Sequence, residues 1–123
     1  MTPQELRTRI DRFADEVIAL CRSTASDSVS LRLLVQLQDA ATSVSANYRA
    51  VCRAQSKPAF IAKLSIALEE ADEAAGWLQR LSNQRIGDAA NVESLLQEAC
   101  EISAILNASR QTAQGRRRRK PGH

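Results

Sequence analysis

Few residues of this 123-residue chain have chemistry to offer: three cysteines, one histidine and two clusters of like charge. A thiol or hydroxyl nucleophile needs a neighbouring base and a group that orients it. The lone imidazole, His123, is the last residue, which excludes most histidine-based catalysis. Cys21, Cys52 and Cys100 are widely spaced, odd in number and free of any CxxC pair, so neither a zinc site nor a disulfide framework is expected. They read as buried thiols in a reducing compartment, acting as small hydrophobes. The acidic run Glu69, Glu70, Asp72 and Glu73 has the composition of a carboxylate metal site. A di-iron bundle, however, points Glu-x-x-His pairs inward from facing helices, and no histidine precedes position 123. The run is therefore read as a solvated face or an interface rim. No glycine-rich phosphate loop is present. The expectation is a protein with no catalytic residue, no metal and no cofactor, and hence not an enzyme.

Charge points elsewhere. The chain carries 17 Lys and Arg against 14 Asp and Glu, a formal +3. Arg116, Arg117, Arg118, Arg119 and Lys120 are consecutive, and without them the remainder holds 12 basic and 14 acidic residues, a net of −2. A basic arm on a near-neutral body attracts polyanions, with an affinity that falls as salt rises. A second cluster, Arg49, Arg53, Lys57 and Lys63, surrounds a predicted helix–helix turn. Arg49 and Arg53 are one helical turn apart and share a face. No aromatic residues are interleaved with these cations, so base stacking on single strands is not expected. For this second cluster two readings stand: contacts to phosphates with little sequence preference, or a solubilising patch with salt bridges to Asp39, Glu69 or another subunit.

The elements that carry these residues are helices. Aromatics are 3% of the chain, with 4 Gly and 3 Pro, a composition poor in turn and strand formers. The first helix is predicted over Pro3–Arg22, capped by Thr2 with Glu5 completing a capping box. Leu6, Ile10, Phe13, Val17 and Leu20 form its apolar stripe. The second is predicted over Val29–Gln55, with Leu34, Leu37, Ala41, Val44, Tyr48 and Val51 inward. Beside that stripe runs a row of small or polar residues, Gln36, Ala40, Ser43, Asn47 and Ala54; buried Ser43 or Asn47 would need a hydrogen-bond partner. The third begins at a Ser56 cap with Pro58 in its first turn. Phe60, Leu64, Ala67, Ala71, Ala74, Leu78 and Leu81 face its core. A turn over 82–91, with Gly87 as terminator and Asn91 as the next cap, precedes the fourth helix, Val92–Thr112. Its inward residues are Val92, Leu95, Ala99, Ile102 and Leu106. The fold class expected is all-α, an antiparallel up-down-up-down four-helix bundle over residues 1–114, with 115–123 a disordered basic tail. No apolar leader segment is recognised at the N-terminus and no run approaches the ~20 apolar residues of a membrane span. A cytoplasmic protein without membrane contact is expected.

One feature exceeds what a bundle requires. On a helical projection Ile66 and Trp77 lie within about 20° of each other, roughly opposite the third helix's core stripe. Glu70 and Glu73 flank them, with Lys63 and Arg80 nearby. An apolar anchor with a charged rim is the pattern of an interface, and a closed homo-oligomer, ring or dimer, is the expected partner.

Two segments, read together, resemble a known family. They are Gln36-Leu37 through Ser43-Val44-Ser45-Ala46-Asn47-Tyr48-Arg49, and Phe60-Ile61-x-Lys63-Leu64-x-Ile66-Ala67-Leu68 with Glu70-Ala71 and Trp77-Leu78. The chain resembles the bacterial four helix bundle proteins encoded in intervening sequences of large-subunit ribosomal RNA genes, over about residues 5–113. It is distantly similar to the accessory proteins of diversity-generating retroelements. It departs from the family pattern at Ala50, where Glu is frequent, and at Glu69, where Lys is common. The resemblance implies a four-helix bundle, often a ring of five subunits, without catalytic residues, and nucleic-acid binding in some relatives. The functional expectation is a non-enzymatic, oligomeric scaffold or adaptor that binds RNA or DNA through Arg49, Arg53, Lys57, Lys63 and Arg116–Lys120. Its subunits would join through Ile66, Glu70, Glu73 and Trp77. The alternative is a module that docks a protein partner, such as the reverse transcriptase of the retroelement-like relatives, without touching nucleic acid.

Overall fold

The computed structural model describes residues 1–115. Four helices follow one another: α1 (Pro3–Ser23), α2 (Ser28–Cys52), α3 (Lys57–Gln84) and α4 (Ala89–Ala113). Thr2 caps α1 as expected: its hydroxyl accepts from the Glu5 N–H at 3.1 Å while the Glu5 carboxylate accepts from the Thr2 N–H at 2.8 Å. Asp27 and Ser56 cap α2 and α3.

Two helix ends differ from the sequence reading. Helix α3 ends at Arg85, not at Gly87: Arg85 takes the left-handed conformation (φ 56°, ψ 42°) and the Ile86 N–H closes on the Leu81 carbonyl at 2.9 Å. This is the closure a glycine usually makes; Ile86 then packs against the core. Gly87 serves the turn itself at φ 85°, where an added Cβ would meet Val92 and Leu20 side chains at 3.3 and 3.4 Å. The cap of α4 is Asp88, whose carboxylate accepts from the Asn91 N–H at 3.0 Å. Asn91 is therefore inside the first turn, and α4 starts three residues earlier than expected. Helix α2 also stops at Cys52, short of Gln55 and of Ala54.

Each helix packs on its two neighbours, α1 on α2, α2 on α3, α3 on α4 and α4 back on α1, while the diagonal pairs stay apart. That closed square, with short links, is the antiparallel up-down-up-down bundle. Its core contains every stripe residue predicted for α1, α2 and α4. On α3 the stripe is buried from Leu64 to Leu81, with Phe60 half-buried at the end of the bundle. The α2–α3 seam is the most intimate and the α1–α4 seam the thinnest. Small residues suit the first: Ala40 of α2 and Ala67, Ala71 and Ala74 of α3 are all buried.

The cysteines correct an expectation. Cys21 is half-buried, its thiol directed at the Leu34 carbonyl at 3.6 Å, but Cys52 and Cys100 are exposed, and all three are free thiols. Cys52 is the last residue of α2, beyond the final core position Val51, and Cys100 follows core residue Ala99 by one position, which turns it outward. Among the described residues, no helix is long and apolar enough to cross a membrane.

Candidate nucleic-acid interface

The antiparallel topology collects charge at one end. Helices α1 and α3 begin, and α2 and α4 finish, at what we term the Thr2 end. Arg53 caps the C-terminus of α2 and Lys57 opens α3, so both lie there. Arg49 is one turn further along α2, and Arg49, Arg53, Lys57 and Lys63 are all exposed. Gly115, the residue that precedes Arg116, is at the same end. Arg116, Arg117, Arg118, Arg119 and Lys120, and the tail expected to be disordered, lie outside the described residues.

Two hydrogen bonds fix the register of α1 against α2. The Ser45 hydroxyl donates to Asp11 at 2.6 Å, and the Cys21 thiol to the Leu34 carbonyl. One turn toward the Thr2 end from the Asp11–Ser45 bond, the same faces carry Arg7 on α1 and Arg49 on α2. Arg53 follows one turn later. The structure thus adds Arg7, half-buried, to this cluster, a residue the sequence reading did not single out. Its place depends on the inter-helix register, which no local pattern reveals. Lys63, by contrast, belongs with α3 residues on the α2–α3 seam.

Among the described residues the ion pairs are Arg9 with Glu98 and Arg9 with Glu101. Arg7, Arg49, Arg53, Lys57 and Lys63 have no carboxylate within pairing distance there. Arg9 clasps the thin α1–α4 seam: Nε donates to Glu98 at 2.7 Å, and one terminal amine donates to Glu98 at 2.8 Å and to Glu101 at 2.6 Å. The hydrogen bonds from Arg9 hold the Glu98 carboxyl below its usual range against the opposing effect of burial. Tyr48, on α2 above the cationic end, has its phenol pushed up to about 12, first by burial and then by the neighbouring Cys52 thiol.

The second candidate surface runs along the outside of the α2–α3 seam. The Ser43 hydroxyl donates to Glu70 at 3.3 Å, and the Asn47 amide donates to the Ser43 carbonyl at 2.9 Å. These are the partners that the small-polar row of α2 required. The bond also sets Ile66 of α3 near the level of Asn47, since the helices run antiparallel. Ile66 is 39% exposed. Trp77 is half-buried against the core and its indole Nε1 is enclosed without an acceptor. The helical projection places its Cα direction outward, yet the indole packs back against the core. Glu73 is exposed, whereas Glu70 is half-buried and turned to Ser43. The row on α2 and the second face of α3 are thus one surface.

A further apolar group was not anticipated. Leu31 and Val35 are 53% and 46% exposed and line a shallow groove between α1 and α2 with Ile18, Cys21 and Arg22. It lies at the opposite end from the cations. Among the described residues no set of three or more His, Cys, Asp or Glu is grouped closely enough to hold a metal ion.

A family model described as 23S rRNA-intervening sequence protein matches residues 5–108. A crystal structure of a protein of unknown function from the S23 ribosomal protein family of Bacteroides thetaiotaomicron is 28% identical with a TM-score of 0.82, covering 90% of this chain and 99% of that one. No curated protein matches.

Proposed function

Because this chain belongs to the 23S rRNA-intervening sequence protein family, we propose that it is a non-enzymatic, oligomeric four-helix scaffold that binds RNA or DNA through the phosphate backbone. One observation carries the reading: the up-down-up-down topology brings Arg49, Arg53 and Lys57 to the same end as Gly115, from which Arg116–Lys120 follow directly in sequence. Arg49, Arg53 and Lys57 thus stand at the end of the bundle where the described residues stop, one residue before the second charge cluster in the sequence. Lys63 extends the surface along α3. Self-repulsion among unpaired cations opposes folding slightly and is relieved when a polyanion binds. Each phosphate contact releases counterions, so affinity falls steeply with salt. Ile66 and Trp77, with Glu70 and Glu73 as rim, join subunits in a closed ring, and several cationic ends on one ring raise apparent affinity without new contacts. A cytoplasmic site of action fits free, exposed thiols.

The test is fluorescence polarisation with labelled RNA and DNA oligonucleotides from about 20 to 200 mM salt, run beside light-scattering mass for the full chain and Trp77→Glu. The expected results are binding with a negative log–log salt slope, and a drop from oligomer to monomer in the variant. No binding of either nucleic acid at low salt overturns the nucleic-acid reading. A monomeric wild-type chain overturns the ring.

A further inference from the structure

We infer that Arg7 is a phosphate-contacting residue and that the nucleic acid lies along the α1–α2 seam at the Thr2 end. This rests on the nucleic-acid reading and goes further: it names the track and a residue on a helix that no sequence pattern assigned to binding. The Asp11–Ser45 hydrogen bond pins the register. One turn away, on the same two faces, stand Arg7 and Arg49, and Arg53 stands one turn beyond.

Helix geometry thus puts three arginines along one seam. The two acids nearest in sequence are already engaged. Asp11 accepts from the Ser45 hydroxyl, and Glu5 accepts from the Thr2 N–H in the cap of α1. Neither forms an ion pair with Arg7 or Arg49 among the described residues. Arg7 is half-buried beside this seam. By contrast, Arg9, two residues on, faces α4 and is fully paired. Helix geometry places Arg49 and Arg53 about 6 Å apart along α2, comparable to neighbouring phosphates of one strand. Arg7 supplies a third fork from the facing helix, and guanidinium is the group best shaped for two-point phosphate contact. A basic surface that reads only phosphates positions a strand without choosing its sequence.

The experiment is the same polarisation titration on the full chain, comparing wild type, Arg7→Gln, Arg7→Lys and Arg22→Gln, each with RNA and DNA. Arg22 is exposed at the opposite end of α1 and controls for net charge. Arg7→Gln is expected to flatten the log–log salt slope by about 0.7 on single strands or about 0.9 on duplex, one phosphate contact's share. Arg7→Lys is expected to restore the slope, and Arg22→Gln to leave it unchanged. Thermal melts of all four separate binding from folding, because a purely structural role for Arg7 lowers the melting temperature and leaves the slope intact. Wild-type binding with an unaltered slope in Arg7→Gln, or an equal loss in Arg22→Gln, refutes the track while leaving the general reading standing. Absence of wild-type binding at low salt refutes both.

Discussion

Replacing Arg9 by methionine removes the clasp between α1 and α4 while keeping an apolar stem along the seam. Arg9 and Glu98 side chains are 23% and 27% exposed, and Glu101 is 50% exposed. A solvent-exposed ion pair is worth about 0.2–1 kcal/mol, whereas losing one partner of a fully buried pair costs about 3–5 kcal/mol. The Arg9–Glu98 bridge lies between these limits and nearer the exposed one. Glu101 contributes little, because water re-solvates it. The expected loss is about 1.5–2 kcal/mol, and the thin α1–α4 seam offers little packing to compensate. For a domain of this size that is roughly 6–8 °C in Tm. The effect is pH-dependent with a definite sign. Glu98 has a folded pKa held below its unfolded value, chiefly by the hydrogen bonds from Arg9. Its contribution is complete above the unfolded value of about 4.3 and is lost as pH falls through the folded one. The difference between wild type and Arg9→Met is thus largest at neutral pH and narrows as pH falls through the lowered folded value. Urea denaturation followed by circular dichroism at pH 7 and pH 3 measures it, and Glu98→Gln completes a double-mutant cycle. A variant within about 0.5 kcal/mol of wild type at pH 7, or a gap no smaller at pH 3 than at pH 7, refutes this account of the seam.

Three further expectations follow from local geometry. Arg85→Gly relieves the left-handed backbone at the end of α3 and raises stability by about 0.5–1 kcal/mol net of the entropy glycine adds to the unfolded chain; a lower melting temperature contradicts the strain. In the native protein, the exposed Cys52 and Cys100 react with a thiol reagent faster than the half-buried Cys21, whose pKa burial raises; three equal rates speak against the placement. Tyr48 is the single tyrosine, so ultraviolet titration reads it alone. Its midpoint is expected at about 12, and because that value is raised, the associated stability is intact below the unfolded phenol's pKa and lost above it; a midpoint at about 10 in the folded protein counts against its burial.

The relation between chain and fold is uneven along the molecule. Leucine, valine and alanine at intervals of three and four defined the buried face of each helix, and the spacing was enough because only one face of a helix can be hidden in a two-layer bundle. The capping box at Thr2 and the Ser56 cap were legible for the same reason: both are local bonds within four residues. The α3–α4 turn was not. Gly87 looked like the stop signal, yet Arg85 bears the left-handed turn, because the Ile86 N–H reaches Leu81 and Ile86 gains a place against the core, and together they outweigh the local preference for glycine. Nor was the exposure of Cys52 and Cys100 legible, since a thiol counts as apolar in any pattern and its exposure depends on which residues around it face the neighbouring helices.

For the candidate surfaces the division is sharper. Sequence alone determined that cations cluster around the α2–α3 turn and that Ile66 and Trp77 share an angular sector of α3. Only the tertiary structure decided that Ser43 and Asn47 lie on the same surface as Ile66, and that Arg7 stands across from Arg49. Those placements are set by how one helix slides and rotates against another, and that register follows from packing over the whole seam; no stretch of chain short enough to be read as a motif contains it.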